Sequence, residues 1–307
     1  MSAAGLEFGF VTNCLGQTTI DEAVTVAREI GVTCLEVGPS VKRDLPAFKR
    51  VMADGDVRLH SFIYGRNYLT DDPLRAAEYQ RELRRLLDMA MLLGVPQITM
   101  STGIRPDQTL EDNIRTALDF WSPYFEKGAA GGVRFALEFC PTVGNFALGP
   151  QAWRPLFDAT YAFPNFGLNY DPSHLLWQMI DPYTPLAEFG DRIFSVHAKD
   201  THIRRDVLAE HGIVTPYRNT ETALHGVVEA RAPWWEFRIP GEGDLDWDRF
   251  LGQLIDGGYD GAILIELEAH EYTGSRSQVI EGLKRSLKHL QESLSLRSSA
   301  ARSVSGL

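Results

Sequence analysis

Residues 133–138 read VRFALE, a mostly apolar run of strand length that ends on the carboxylate of Glu138. Three later stretches have the same form: FGLNYD at 166–171 ends on Asp171, IFSVH at 193–197 on His197, and AILIE at 262–266 on Glu266. Taken singly, an acidic residue after a strand is a solvated loop residue or a helix cap. Together the four endings point elsewhere, because carboxylate oxygens and an imidazole nitrogen are the donors that a divalent ion takes. The set predicts one mononuclear metal site, with Mn²⁺ as the first expectation and Mg²⁺, Co²⁺ or Zn²⁺ as alternatives.

Outward from these runs, strand-length apolar segments alternate with helical patterns along the whole chain, the mark of repeated βα units around a parallel sheet. Upstream runs are LEFGFVT (6–12), TCLEVG (33–38), VRLHSFIYG (57–65) and QITMSTG (97–103). Thr19 with Glu22 three residues on forms a capping box, and Gly31 ends the helix that it opens. A long helix begins near Asp72 and Pro73, buries Leu83, Leu86, Leu87 and Ala90 on one face, and stops at Gly94. Another runs from about Thr109 toward Lys127, and the last places Val279, Leu283, Leu287, Leu290 and Leu294 at helical spacing.

Eight βα units predict an α/β fold, a (β/α)8 TIM barrel, with the active site at the C-terminal ends of the strands. The candidate ligands lie 33, 26 and 69 residues apart. A unit of such a barrel takes about 30 residues, so the first two intervals are single units and the third is doubled. An enlarged loop therefore follows strand seven, at about residues 204–238, with His211, Tyr217, His225, Trp234, Trp235 and Phe237 in it. Leaving the strand that carries His197, it is expected to serve as a substrate lid or as a subunit interface, with Trp234 as a substrate contact. Residues 1–297 read as a single domain, and 298–307, SSAARSVSGL, which lacks an apolar pattern, as a disordered tail.

The 307 residues carry 30 basic and 41 acidic side chains, a net charge of −11, which disfavours non-specific binding to nucleic acid or anionic membranes. No segment approaches the roughly 18 apolar residues of a membrane span, and the N-terminus lacks the pattern of an export signal, so a cytoplasmic location is expected. Cys14, Cys34 and Cys140 form no CxxC pair, which fits a reducing compartment. No Gly-rich nucleotide loop follows a strand; GEGDLDW is not a dinucleotide fingerprint.

The motifs LEFCP around Glu138, NYDPSHLLW with Asp171 and His174, VHAKD with His197 and Lys199, PGEGDLDW, and GYDGAILIELE with Glu266 run through essentially the whole chain. With them the sequence resembles the sugar phosphate isomerase/epimerase superfamily, the xylose isomerase-like barrels that include ketose 3-epimerases, inosose dehydratases and endonuclease IV. The resemblance implies that Glu138, Asp171, His197 and Glu266 hold the metal and that the two glutamates exchange the substrate's protons. It also implies that His174 contacts a substrate hydroxyl or carbonyl oxygen. Lys199, two residues beyond His197, projects by period-two alternation toward the same side and is a candidate for binding a substrate oxygen. His60 matches a third-strand metal position of endonuclease IV and is carried as a substrate-contact candidate.

Departures narrow the choice. The fourth-strand position where endonuclease IV has a histidine is Ser101, and no convincing Asp-x-His follows His197, so a trinuclear zinc cluster and DNA repair are disfavoured. The arginine that ketose 3-epimerases carry after the metal histidine is replaced by Ile203, with Arg204 and Arg205 displaced. The expected activity is proton transfer beside the carbonyl of a keto-sugar through an enediolate, as in an isomerase or epimerase. The alternative is a lyase, in which the same enolate expels a β-hydroxyl or an aglycone from an inosose or 3-oxo-glycoside. Expected partners are a small keto-sugar, cyclitol or glycoside, and a homo-oligomer or partner subunit.

Overall fold

Strand β1 (Glu7–Val11) pairs in parallel with both β2 (Cys34–Val37) and the last strand, Ala262–Ile265, and so closes a barrel. The ring continues through β3 (Arg58–Tyr64), β4 (Gln97–Met100), β5 (Arg134–Glu138), β6 (Phe166–Tyr170) and β7 (Ile193–Ala198), which returns to Ala262–Ile265. The computed structural model describes residues 5–141, 144–213 and 234–304, together with two short strands, Ala223–Leu224 and Val227–Val228. All eight barrel strands lie where the apolar runs predict them. Closure demands close backbone approach at Gly9, where a Cβ would sit 2.3 Å from the carbonyl oxygen of Cys34.

The helices start and stop on local chemistry. Thr19 and Glu22 form the reciprocal capping box of α1 (Ile20–Ile30), and Gly31 leaves it at φ 80°. Asp72 caps the long helix Pro73–Leu93 by accepting from the amides of Leu74 and Arg75. The last helix, Arg276–Val304, buries Val279, Leu283, Leu287, Leu290 and Leu294 against the barrel. It extends past residue 297, where the sequence reading begins a tail; residues 305–307 lie outside the described set.

Two strands carry an extra residue. Leu35 pairs with Leu59 but Glu36 with Ser61, so His60 is skipped; Leu168 pairs with Ile193 but Asn169 with Ser195, so Phe194 is skipped. Each bulge resets the alternation of faces. At β3 it turns Ser61, not His60, toward Glu36 in the barrel interior, where the Ser61 hydroxyl donates to the Glu36 carboxylate.

Beyond β7 the chain runs on as Asp200–Ile203 and pairs antiparallel with Trp235–Arg238 in a two-stranded ribbon above the barrel mouth. Buried Asp200 ties this ribbon to the 240–247 segment. Its carboxylate accepts from the amides of Gly241 (3.1 Å) and Leu245 (3.1 Å) and from the indole N–H of Trp247 (2.9 Å). A Cβ on Gly243 would lie 2.2 Å from Asp200 Oδ1, so that position excludes a side chain. Trp247, buried, opens the next helix, Trp247–Asp256.

Candidate metal centre and active site

Glu138 ends β5, Asp171 follows β6, His197 lies in β7 and Glu266 follows Ala262–Ile265, so four strand ends present their side chains at the same mouth of the barrel. One donor atom each from Glu138, Asp171, His174 and Glu266 lies within 4.8 Å of the others. By distance alone His174, predicted as a substrate contact, takes the place expected of His197. Protonation separates the two histidines.

His197 Nε2 lies 2.7 Å from Glu36 Oε1, and that carboxylate also accepts from Thr99 Oγ1 at 2.5 Å. With Nε2–H donated to Glu36, Nδ1 is the nitrogen open to an ion; without one, burial opposes charge on the ring but Glu266 and Glu36 outweigh it and favour a proton there. Nδ1 is buried, has no hydrogen-bond partner, and sits 3.2 Å from Glu266 Oε2 and 3.6 Å from Glu138 Oε1. A histidine held by a carboxylate through its other nitrogen is the usual arrangement around a bound metal. His174 is the reverse case. Its Nδ1 faces the indole N–H of Trp177 at 3.3 Å, and an indole can only donate, so the ring proton belongs on Nε2. Burial and Lys199 oppose charging His174 while Cys140 and Asp171 favour it, with a net rise to about 10. A second proton on Nδ1 would forfeit the bond from Trp177, and the neutral Nε2–H form fits the geometry better. Nε2 lies 3.4 Å from Asp171 Oδ2, 3.7 Å from Glu138 Oε1 and 3.3 Å from the Lys199 ammonium.

Asp171 divides its oxygens. Oδ1 accepts from the amide (2.9 Å) and hydroxyl (2.6 Å) of Ser173, capping the short helix Pro172–Trp177, while buried Oδ2 faces the cluster without a well-aligned donor. The donor set that fits a divalent ion is therefore Glu138, Asp171 Oδ2, His197 Nδ1 and Glu266.

Lys199 is buried in the middle of this set, not at a solvent-facing strand exit. Its ammonium donates to Glu266 (2.6 Å) and Glu268 (2.9 Å), lies 3.1 Å from Asp171 Oδ2 and sits 4.5 Å above the Phe237 ring. Burial works against its charge, but Asp171 and Glu266 outweigh it and hold the lysine cationic. Burial likewise opposes charge on Glu266, and Lys199 and His197 overcome it, keeping that carboxylate ionised. Glu138 is also held below the usual carboxylate range: burial and Glu266 push it up, and hydrogen bonding to His174 and His197 outweighs them.

A cavity of about 210 Å³ opens over the cluster, lined among others by Glu138, His174, Lys199, Glu266, Trp235 and Phe237. A second, of about 600 Å³, shares Asn13, Glu266 and Glu268 with it and runs between Gly16 and the start of the last helix at Arg276. Two residues named from the sequence are absent from the linings of these cavities. His60 lines neither; its Nδ1 lies 3.2 Å from Arg58, and burial with the charges of Arg58 and Arg134 keeps it neutral, down to about 3. Trp234 does not line the cavity either: it packs on Trp235, whose ring does. Of the loop's other named residues, Tyr217 and His225 lie outside the described residues, and the His211 side chain does too.

Comparison with known proteins agrees with this architecture. Residues 24–293 match the family described as the xylose isomerase-like TIM barrel. The chain belongs to that family. Within it, the chain is 26% identical over 304 residues to YfiH of Bacillus subtilis, covering 86% of this chain and 93% of that one. It is 33% identical over 266 residues to an inosose dehydratase of Clostridium beijerinckii, covering 82% and 83%. Among solved structures this xylose isomerase-like barrel superposes on an L-ribulose 3-epimerase with a TM-score of 0.73 at 14% identity, covering 98% of each chain. It superposes on a zinc-bound IOLI protein, also at 0.73, with 16% identity and 94% and 98% coverage. The family resemblance stands, and the relatives, inosose dehydratases among them, indicate an enzyme. No helix among the described residues is long and apolar enough to cross a membrane.

Sequence reasoning missed Glu36 and Glu268. Both left a signal: Glu36 is an acid inside the apolar run TCLEVG, and Glu268 stands two residues past Glu266, on the same side by strand alternation.

Proposed function

We propose that the protein is a metal-dependent lyase of the dehydratase type, acting on a polyhydroxylated ketone such as a keto-cyclitol or keto-sugar. The observation that carries the reading is the buried Lys199 ammonium, which grips Glu266 at 2.6 Å on the wall of the cavity that Glu138 also lines. Return of a proton to the opposite face of an enolate, as in two-base epimerisation, needs one carboxyl protonated, whereas the surroundings of Glu138 and Glu266 favour their ionised forms. Lys199 carries a proton on the same cavity for a departing oxygen to take. The inosose dehydratases among its relatives support the same reading.

Of the two glutamates, Glu138 is the freer base, since its contacts to His174 and His197 are 3.6 Å or longer whereas Lys199 grips Glu266 at 2.6 Å. Glu138 takes the proton from the carbon beside the carbonyl, the electron pair forms the C=C bond as the β C–O bond breaks, and Lys199 gives its proton to the departing hydroxyl, which leaves as water. A divalent ion held by Glu138, Asp171, His197 and Glu266 supplies Lewis-acid stabilisation of negative charge on the carbonyl oxygen. His174 orients a substrate oxygen through Nε2–H. Mn²⁺ remains the metal of first choice, and a cytoplasmic location and self-association remain part of the proposal.

The second reading, epimerase or isomerase, is favoured by the symmetric placement of Glu138 and Glu266 on one cavity. Incubating the Mn²⁺-loaded protein in D₂O with inososes, ketohexoses and 3-oxo-glucosides, followed by NMR, separates the two. Dehydration predicts loss of water; epimerisation predicts deuterium beside the carbonyl with all hydroxyls kept. No change in any substrate, with Glu138→Gln behaving identically, overturns both.

A further inference from the structure

The barrel interior beneath the ligand ends holds a polar layer. Interiors of such barrels are filled mostly by bulky branched apolar side chains, yet Glu36, Ser61, Gln97, Thr99, Asn169 and Ser195 are all fully buried here. Both bulges serve this layer: the one at β3 sets Ser61 opposite Glu36, and the one at β7 sets Ser195 opposite Asn169. The hydrogen bonds run in one direction. The side-chain amide nitrogen of Gln97, which can only donate, gives a proton to Ser195 Oγ (2.8 Å) and faces Thr99 Oγ1 at 3.4 Å. The two hydroxyls pass their own protons on, Ser195 to Asn169 Oδ1 (2.7 Å) and Thr99 to Glu36 Oε2 (2.5 Å), where the Ser61 hydroxyl also donates. Oε1 of Glu36 is left for His197 Nε2 at 2.7 Å. Replacing paired buried polar groups by apolar ones of the same shape is often neutral or stabilising, so stability alone does not account for the layer. Its protons converge on the carboxylate that holds His197.

We infer that Thr99 and Ser61 are positioning residues for the metal centre, whose hydroxyls hold the Glu36 carboxylate so that its other oxygen takes the Nε2–H of His197 and Nδ1 stays turned toward Glu138 and Glu266. The inference rests on the reading of Glu138, Asp171, His197 and Glu266 as metal ligands. Both hydroxyls act through Glu36 and not on the ion. Gln97 in turn occupies a lone pair of Thr99, which leaves the Thr99 proton for Glu36. Removing either donor leaves Glu36 Oε2 buried and short of a bond, which favours a turn of the carboxylate and loosens its hold on the ring.

The test titrates Mn²⁺ by calorimetry into wild type, Thr99→Val, Thr99→Ser and Ser195→Ala, with circular dichroism to confirm folding. Valine keeps the shape of threonine and removes the hydroxyl, serine keeps the hydroxyl, and Ser195→Ala breaks the same layer away from Glu36. Mn²⁺ affinity is expected to fall about tenfold in Thr99→Val and to return close to the wild-type value in Thr99→Ser, while Ser195→Ala stays near wild type. Wild-type affinity in Thr99→Val, no recovery in Thr99→Ser, or an equal loss in Ser195→Ala overturns the inference. Should Thr99→Val fail to fold, Ser61→Ala, which removes the other donor to the same carboxylate, is read by the same criteria. Should wild type bind neither Mn²⁺ nor Zn²⁺, the metal reading falls, and NMR of the metal-free protein then decides on the hydroxyls. The Nε2–H resonance of His197, identified by its loss in His197→Gln, should lie downfield in wild type and Thr99→Ser and shift or broaden in Thr99→Val; an unmoved resonance overturns the assignment.

Discussion

His197 and Glu36 form a buried pair across the barrel, Nε2 to Oε1 at 2.7 Å, with both side chains fully shielded from water. The pair occupies Nε2, so Nδ1, which faces Glu138 and Glu266, is the nitrogen left for a proton or an ion. Glu36→Gln should therefore weaken Mn²⁺ binding roughly 10- to 100-fold while leaving the barrel folded. Calorimetric titration alongside circular dichroism checks it; an unchanged affinity would remove Glu36 from the metal site.

Metal binding should release a proton. Burial disfavours the charged His197 ring, but Glu266 and Glu36 dominate and hold its titration well above the ordinary histidine range. The Nδ1 proton and the ion compete for one lone pair, so apparent affinity should rise with pH by up to about tenfold per unit across neutral pH. Titrations in two buffers of different ionisation enthalpy count the protons. His197→Gln should flatten the slope, and an unchanged slope would place the proton elsewhere.

Lys199 offsets three carboxylates from a position only 1% exposed. Without a divalent ion, Lys199→Met should cost roughly 3–5 kcal/mol, because it strands buried charge, and added Mn²⁺ should recover part of the loss. Glu268 contributes least, since its side chain is 47% exposed and screened by water. Denaturant melts of the variant with and without the ion measure both effects.

Stability should fall on both sides of neutrality. Glu138 and Glu266 have lowered folded values, so their contribution is present above the ordinary carboxylate range and lost as pH drops through the folded values. Lys199 has a raised value, so its contribution is full below the free-lysine value and lost as pH rises through the folded one. Glu266→Gln should shrink the acid-side slope of Tm against pH, at the cost of a lower Tm at neutral pH.

Asp200 should matter to the ribbon and not to the metal. Asp200→Ala leaves the amides of Gly241 and Leu245 and the Trp247 indole without their acceptor. A loss on the order of 3 kcal/mol or more follows, with Mn²⁺ affinity nearly kept. A parallel collapse of metal affinity would mean that the ribbon also supports the ligand cluster.

Periodicity alone located the barrel. Period-two and period-3.6 patterns report burial, and burial of eight apolar runs behind eight helical stripes has few solutions. Strand ends were equally legible, which is why Glu138, Asp171, His197 and Glu266 could be named from spacing. Three other assignments were beyond a one-dimensional reading. His60 was lost to a bulge, because one extra residue inverts every face after it and leaves no mark in the sequence. Trp234 and Trp235 are neighbours in sequence, and only the register of the ribbon, Trp235 opposite Ile203, decides which of them meets the cavity. The protonation of His174 and His197 turned on folded partners, Trp177 one turn along the same short helix for one and Glu36 across the barrel for the other. Sequence by itself determined the barrel and the ring of acids at its mouth, since both follow from local pattern. Tertiary structure decided which imidazole nitrogen faces the carboxylates and which lysine is trapped among them, because protonation and hydrogen bonding are set by groups that only folding brings together.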